Sequence, residues 1–285
     1  MGCTCFDVEM TGANHKVAHL RLNRPEALNS MTREFWMELP RVVNEINDAG
    51  SARAIVISST GKHFSAGMDL GVFTSGGVNP AGDGASTEPG RVRSHLRQMV
   101  FLLQESFSCL EKARMPVLVA VQGGCIGGAV DLATACDLRY ASADAFFCVQ
   151  EINIGMTADV GTLQRLPKVV PEGVAREMAY RGHRLSADRA YQVGLVQEVF
   201  ADHDTLVSGV LDIAEEIASK SPLAIEGSKA MLNFSRDHSV EDGLNFIATW
   251  QAGMFQPTDM LESFAAKGGR RAPDFDDLLP LPKDF

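Results

Sequence analysis

The alternation of short apolar runs with helical patterns restricts the fold of this chain more than any other feature of its sequence. Residues 54–58 (AIVIS) and 117–121 (VLVAV) are almost wholly apolar, as expected of strands that are buried on both faces. Residues 32–48 and 92–110 instead repeat apolar side chains at helical spacing. The other strands predicted in this part of the chain are residues 16–22, 138–140 and 145–149. Because strands and helices alternate up to about residue 200, the sequence predicts an α/β core with mostly parallel strands.

The pattern changes near residue 202, after which helical periodicity dominates. The helices predicted there are residues 206–220, 222–234, 240–255 and 259–267. We therefore predict two regions, an α/β core over residues 1–200 and a helical C-terminal region over residues 201–285. Within the core, residues 71–90 are rich in Gly, Ser, Pro and Asn, which is typical of a loop, and we interpret this loop as a lid beside a site.

Charge and composition exclude several classes of function. The formal net charge is −10, so the average field repels nucleic acid, although a local basic patch could still bind a small anion. The six cysteines form no C-x-x-C pair, which argues against a zinc site and favours a reducing compartment. No apolar run is long enough to span a bilayer, and the N-terminus lacks the pattern of a signal peptide. These features predict a cytoplasmic protein, expected to be bacterial, with no metal and no nucleic-acid or membrane partner.

Two glycine-rich turns are the first sequence features that indicate a binding or catalytic site. Residues 63–70 (HFSAGMDL) follow the strand at 54–58, and residues 123–132 (GGCIGGAVDL) follow the strand at 117–121. Glycines at a strand-to-helix turn let the backbone approach a ligand, and the first amides of the helix point free N–H groups at it. Two such turns side by side could hold a developing oxyanion. Each turn alone is more often only tight packing, and the second lacks the spacing of a nucleotide-binding loop.

Three acidic residues, Asp131, Glu151 and Asp159, have no basic neighbour close in the sequence. A carboxyl group in apolar surroundings has a raised pKa, which suits it to proton transfer near neutral pH. For one such residue, a helix cap or an ion pair with a distant Arg is the commoner explanation, and Asp159 lies where a helix N-cap would. Three of them beside two glycine turns favour a site.

Together these segments resemble the crotonase (enoyl-CoA hydratase/isomerase) superfamily. HFSAGMDL is similar to the first oxyanion segment of that family, and GGCIGGAVDLATACDLRYA to the second; RPEALNSM and SPLAIEGSKAML fit as well. Within the superfamily, EINIGMTADVGTLQRLPKVV and SRDHSVEDGLNFIATWQAGMFQPTDM resemble the Δ3,5-Δ2,4-dienoyl-CoA isomerases. Typical hydratases have a glycine-type residue where this chain has Asp159, and a Glu where it has Asp131. Ala129 departs from the family, in which a third glycine is common at this position. Its methyl group is expected only to make the pocket slightly smaller.

The resemblance implies a spiral core of strand–strand–helix turns and a C-terminal helical region that builds trimers, often paired into hexamers. It implies an acyl-CoA thioester as the substrate, with coenzyme A as part of the substrate and no separate cofactor, in an auxiliary step of fatty-acid β-oxidation. The peptide N–H groups of Ala66 and Gly128 would form the oxyanion hole. The implied substrate contacts are Ala66, Gly67, Met68, Asp69, Leu70 and Gly128. Candidates for the coenzyme-A phosphates are Lys267, Arg270 and Arg271, which could equally be a solvated basic tail.

The implied reaction removes a proton at C2 of a 3,5-dienoyl thioester and delivers one at C6. Those carbons are four bonds apart, so we expect two carboxylates, Glu151 and Asp159, with Asp131 tuning the pair. Which of the two is the base stays open. An enoyl-CoA hydratase or Δ3-Δ2-enoyl-CoA isomerase is the alternative, in which Asp131 and Glu151 would hold a water. A catalytically inactive acyl-CoA-binding protein is a further alternative, although a binder gains nothing from uncompensated buried carboxylates.

Overall fold

The computed structural model describes residues 2–69, 71–72 and 88–282. Leu70 and most of the predicted lid at 71–90 lie outside these residues. The strands, in chain order, are β1 Phe6–Thr11, β2 Val17–Leu22, β3 Ala54–Ser59, β4 Val117–Val121, β5 Gly124–Ile126, β6 Leu138–Ser142, β7 Phe146–Cys148, β8 Leu185–Ser186 and β9 Glu198–Phe200. The helices are α1 Arg33–Ala49, α2 Pro89–Lys112, α3 Gly128–Ala135, α4 Thr162–Val169, α5 Glu172–Arg181, α6 Ala187–Gln192, α7 His203–Ala218, α8 Pro222–Ser235, α9 Val240–Met254 and α10 Pro257–Gly269. Two short 3-10 turns cover Pro25–Ala27 and Glu151–Ile154.

Two sheets form the core. The larger has the order β1-β2-β3-β4-β6-β9 and is parallel except for the β1–β2 pair. The smaller has the order β5-β7-β8, in which β5 and β7 are parallel. The predicted α/β core and helical C-terminal region are therefore confirmed, and the division at residue 200 stays a prediction. Strand β1 was not predicted, because its partly exposed FDVEMT sequence lacks a continuous apolar run.

The central strands are apolar on both faces because helices cover both sides of the larger sheet. Every residue of β3 and β4 is buried. On one face Val56 and Leu118 pack against α7, while on the other Ile55 and Val119 join the main core with α1 and α2. Side chains alternate across a strand, so a strand between two helical layers has no polar face, which explains the runs AIVIS and VLVAV.

The C-terminal helices dock onto this core through a buried charge. Lys229 of α8 donates from Nζ to the carbonyl oxygens of Leu110 and Met115 at 2.8 and 2.9 Å, and pairs with Asp137 at 2.8 Å. By contrast, α9 buries none of its residues in the single chain. Among the described residues, no helix has the length and apolar character that crossing a bilayer requires.

Candidate active site

The two glycine-rich turns meet at one edge of the larger sheet. They follow β3 and β4, which are parallel neighbours, so both turns leave the sheet on the same side. The Ser65 N–H donates to the Gly124 carbonyl, and the Ile126 N–H donates to the Ser65 carbonyl, each at 3.1 Å. The predicted juxtaposition of the two turns is therefore present in the fold.

Glycine is required where the turns touch. Gly67 has φ +83°, and a Cβ there would lie 2.5 Å from the Ile126 carbonyl oxygen and 3.4 Å from the Gly128 nitrogen. A side chain would separate the two backbones. Gly67 and Gly128 are therefore adjacent, and Gly128 is the first residue of α3, where amides have no partner inside the helix.

The predicted oxyanion donor in the first turn needs a correction. The Ala66 N–H donates to the Leu28 carbonyl at 2.9 Å, so a substrate carbonyl would have to displace a backbone hydrogen bond. Over residues 2–69, 71–72 and 88–282, neither the Met68 N–H nor the Gly128 N–H has an acceptor within hydrogen-bonding distance. The geometry therefore favours Met68 over Ala66 as the donor beside Gly128.

Asp69 holds the first turn in shape. Its carboxylate accepts from the Ser30 hydroxyl and from the Gly71 N–H, both at 2.8 Å. These two hydrogen bonds, that from Ser30 being the stronger influence, lower the pKa of Asp69. A carboxylate so stabilised in its charged form serves as a structural anchor of the turn.

An apolar wall that no sequence pattern predicts lies beside Gly128. A Cβ on Gly128 would lie 3.1 Å from Met31 Sδ and 3.7 Å from Trp36 Cη2. Trp36 is 7% exposed and packs against Phe107, with ring centroids 5.2 Å apart and ring planes at 59°. Met31 follows a 3-10 turn and gives no periodic signal, so neither side chain stands out in the sequence.

Asp131 is fully buried on α3 and is tied to α4. Its Oδ1 accepts from the Thr162 N–H at 2.5 Å, whereas its Oδ2 is buried with no hydrogen-bond partner among the described residues. Burial raises the pKa of Asp131 to about 6, and the hydrogen bond from Thr162 partly opposes that rise. The helix-capping role considered for Asp159 is therefore performed by Asp131, since Thr162 is the first residue of α4.

Glu151 opens the 3-10 turn that follows β7, and its carboxyl group points at the second glycine turn. Its Oε1 would lie 3.2 Å from a Cβ on Gly127, the residue before Gly128. Its Oε2 is buried without a hydrogen-bond partner in the described part of the chain. Burial, and then repulsion from Asp131 and Asp159, raise the pKa of Glu151 to about 7.

Asp159 lies on the loop between that turn and α4. It is the most exposed of the three acids, yet burial still raises the pKa of its carboxyl. Its peptide carbonyl accepts from Gln104 Nε2 at 2.7 Å. The three predicted acids thus lie close enough for the charge of one to raise the pKa of another. Such an arrangement can accept a proton and donate another near neutral pH.

The predicted phosphate contacts at the C-terminus differ in their surroundings. Arg271 makes a bidentate ion pair with Glu262, with N–O distances of 2.5 and 2.8 Å, so a carboxylate already occupies its guanidinium. Lys267 and Arg270 are exposed and make no ion pair with any described residue. Binding of coenzyme-A phosphates by Lys267 and Arg270 stays a prediction.

Comparison with known proteins identifies relatives over nearly the whole chain. A family model described as enoyl-CoA hydratase/isomerase matches residues 12–278. The mitochondrial Delta(3,5)-Delta(2,4)-dienoyl-CoA isomerase of Mus musculus is 42% identical over 93% of this chain and 80% of its own length. The peroxisomal enzyme of that name from Arabidopsis thaliana is 40% identical over 95% of this chain and 96% of its own. A crystal structure of an enoyl-CoA hydratase from Bacillus anthracis superposes with a TM-score of 0.83 at 27% identity, covering 95% of this chain and 99% of that one.

These relatives contradict the predicted location. The expectation of a cytoplasmic, bacterial protein is wrong, because the similar isomerases are mitochondrial or peroxisomal proteins of eukaryotes. The expectation rested on the lack of a signal-peptide pattern at the first residues and on cysteines that favour a reducing compartment. Such an absence says nothing about delivery to these organelles, because that pattern marks only export through the secretory route.

We expect Gly67→Ala to separate the two turns. The added Cβ meets a backbone oxygen at 2.5 Å in a left-handed conformation, so strain and overpacking together should cost about 3 kcal/mol of unfolding free energy. A displacement of about 1 Å should lower kcat/KM on the order of 100-fold. Gly12→Ala is the matched control, since Gly12 also has φ +83° but an added Cβ makes only ordinary contacts, the nearest at 3.6 Å. Urea unfolding and turnover of both variants check this; equal losses in the two would contradict it.

Proposed function

The chain belongs to the enoyl-CoA hydratase/isomerase family, and from that premise we propose that it is a Δ3,5-Δ2,4-dienoyl-CoA isomerase. The observation that carries the proposal is a second acid near Glu151: burial raises the pKa of the Asp159 carboxyl, and this carboxyl lies close enough to raise the pKa of Glu151. Relatives of that name, 40 to 44% identical over most of the chain, support it. The proposed substrate is a 3,5-dienoyl-CoA, and the reaction is an auxiliary step of fatty-acid β-oxidation.

In the proposed complex, the Met68 and Gly128 N–H groups donate to the thioester carbonyl oxygen. Two preorganised donors stabilise the negative charge that this oxygen acquires when C2 loses its proton. The electrons stay within the conjugated thioester throughout, so the proposed reaction requires no metal and no redox cofactor.

Glu151 is the proposed base at C2. Its carboxyl group lies against Gly127, one residue from the Gly128 donor, so it is next to the place where the carbonyl and C2 would lie. The C2 proton passes to Glu151, and the electron pair of that C–H bond forms the dienolate. A base with a pKa of about 7 is half ionised near neutral pH and is strong enough to share this proton.

Asp159 is the proposed acid at C6. The negative charge then moves from the carbonyl oxygen along the conjugated chain. The C2–C3 and C4–C5 double bonds form, and C6 takes the proton of Asp159. Glu151 then holds one proton and Asp159 has lost one, and exchange with solvent restores the pair. Repulsion between the two carboxylates favours states in which one of them is protonated, and the proposed reaction starts from the form that has this proton on Asp159.

A hydratase fits the geometry less well. Water addition would need Asp131 and Glu151 to hold one water between them. Asp131 is 0% exposed, and its Oδ1 already accepts from the Thr162 N–H, so only the buried Oδ2 remains to hold a water. We assign it instead to supporting α4 and raising the pKa of Glu151.

The proposed assembly is a trimer or a pair of trimers. Helices α8, α9 and α10 enclose an apolar groove of about 1070 Å³, here called the C-terminal groove. Leu232 and Leu244 on its walls are 73% and 64% exposed, and Phe264 of α10 is 63% exposed. A contiguous apolar surface of this kind is stabilised when another chain covers it.

An ultraviolet assay with 3,5-octadienoyl-CoA tests the proposed reaction, since the conjugated 2,4-dienoyl product absorbs at longer wavelength. We expect the product band to grow with the native chain, and kcat to fall at least about 100-fold in Asp159→Asn, which cannot donate the C6 proton. The native chain should act far less on a 2-enoyl-CoA. Hydration of the 2-enoyl compound with no action on the diene would make the chain a hydratase.

The pH profile tests the coupling of the acids. Ionised Glu151 is the base, so kcat/KM should fall as pH drops through about 7. In Asp131→Asn the repelling charge is gone, so the pKa of Glu151 should fall and this acid limb should move to lower pH. Asn keeps an oxygen for the Thr162 N–H, and Asp188→Asn on the exposed side of α6 is the control. An acid limb that stays in place in Asp131→Asn would contradict the assignment.

Sedimentation tests the assembly. We expect the native chain to sediment as three or six copies of 30.8 kDa, and Leu244→Glu to shift it towards single chains because a charge would be buried in the contact. Met37→Glu is the control, since Met37 is 74% exposed on α1, away from the C-terminal groove. Single chains in the native protein at micromolar concentration would rule the assembly out.

A further inference from the structure

A polar network supports the loop that carries Asp159 from its outer side. Gln104 of α2 donates from Nε2 to the Asp159 carbonyl at 2.7 Å. Arg165 of α4 donates from Nη1 to the Val160 carbonyl at 3.3 Å. Both donors face a cavity of about 440 Å³ behind the loop, and this cavity is separate from the carboxyl groups of Asp131 and Glu151.

The guanidinium beneath the loop is itself fixed. Arg165 donates to Glu111 Oε2 from Nε and Nη2 at 2.9 and 2.7 Å, and to Ser108 Oγ at 3.0 Å. The side chains of Arg165 and Glu111 are only 11% and 17% exposed. Arg236, which follows α8, pairs with the other oxygen of Glu111 at 2.8 Å. Glu111 Oε2 thus accepts two N–H groups of Arg165 while its other oxygen pairs with Arg236, and a largely buried ion pair of this kind is a rigid support.

The loop lies directly on this support. Gly161 has φ +135°, and a Cβ there would lie 1.7 Å from Arg165 Nη1. Only glycine allows this approach. Gln104 therefore holds the Asp159 carbonyl, and Arg165 holds the Val160 carbonyl and lies against Gly161.

The Asp159 carboxylate has no comparable support of its own. No other described residue donates a hydrogen bond to it. Its position is therefore set by the backbone that carries it, and a single side-chain hydrogen bond, from Gln104, reaches the Asp159 peptide group. Glu151 depends on different contacts, because its carbonyl accepts from the Gly155 and Met156 N–H groups of its own turn.

We propose that Gln104 is a positioning residue for Asp159: its amide fixes the peptide group of Asp159 and so sets the reach of the carboxyl group to the distal end of the substrate. The inference rests on the proposed isomerase function, in which Asp159 protonates C6. Loss of the Gln104 hydrogen bond then slows protonation at C6 and leaves proton removal at C2 by Glu151 intact. A dienolate that waits longer for the C6 proton returns more often to substrate by taking a proton back at C2.

The test is the partition of that dienolate in D₂O. Native chain and Gln104→Met react with 3,5-octadienoyl-CoA, and mass spectrometry measures deuterium at C2 of the remaining substrate relative to the 2,4-dienoyl product, after subtraction of an enzyme-free blank. Methionine has nearly the size of glutamine and lacks the donor. We expect product formation to fall on the order of tenfold and C2 exchange to change less than about twofold, so their ratio rises.

Two further variants sharpen the result. Gln104→Glu keeps the shape and places an acceptor against the Asp159 carbonyl, so its ratio should rise at least as far as that of Gln104→Met. Gln164→Met is the control, because Gln164 lines the same cavity and its side chain makes no hydrogen bond with a described residue; its ratio should equal that of the native chain.

The ratio does not depend on how much enzyme is folded, which separates positioning from a loss of structure. An unchanged ratio in both Gln104 variants, with native-like thermal unfolding and an active native chain, would overturn the proposal about Gln104. A native chain that forms no 2,4-dienoyl product would instead overturn the proposed function.

Discussion

The close backbone contact between the two glycine-rich turns is the constraint on which the rest of the site depends. Parallel pairing of β3 and β4 brings the carboxyl ends of both strands to one edge, and the hydrogen bonds of Ser65 with Gly124 and Ile126 align the two turns. Gly67 then allows contact with the start of α3. The Met68 and Gly128 N–H groups, which have no acceptor in the described part of the chain, are placed side by side by this contact, and Asp131 follows one turn into α3.

Burial of the carboxyl groups opposes stability and produces the chemistry. The pKa of Asp131 and that of Glu151 are raised mainly because burial disfavours the charged form. A raised pKa in the folded chain means that ionising these groups costs folding free energy as the pH rises above their unfolded values. The fold tolerates this cost because Asp131 also accepts from the Thr162 N–H, which starts α4 and closes the loop that carries Asp159.

Much of this arrangement is predictable from the sequence, because its causes are local. The strands at 54–58 and 117–121, the two glycine turns and the three isolated acids are all visible in short stretches, and the structure places them together. The failures have causes far apart in the chain. The Ala66 N–H is bonded to Leu28, which lies on another loop, and the cap of α4 comes from Asp131, 31 residues before Thr162. Trp36 is a buried core residue of α1, so helical periodicity does not distinguish it as part of the site, and Gln104 lies outside the buried face of α2.

A framework that a hydratase shares, together with one more acid on a loop, accounts for the proposed isomerase activity on a fold that hydratases also use. The sheet edge and α3 fix the carbonyl donors, and the 3-10 turn fixes Glu151 beside them; a hydratase at 27% identity shares this framework with a TM-score of 0.83. Asp159 lies instead on a loop whose backbone is held from outside by Gln104 and Arg165. In the proposed reaction, Asp159 on this loop extends proton transfer from C2 to C6 without disturbing the proposed oxyanion donors. We therefore expect the specificity of the proposed reaction to depend on the helices behind the loop as well as on the acids themselves.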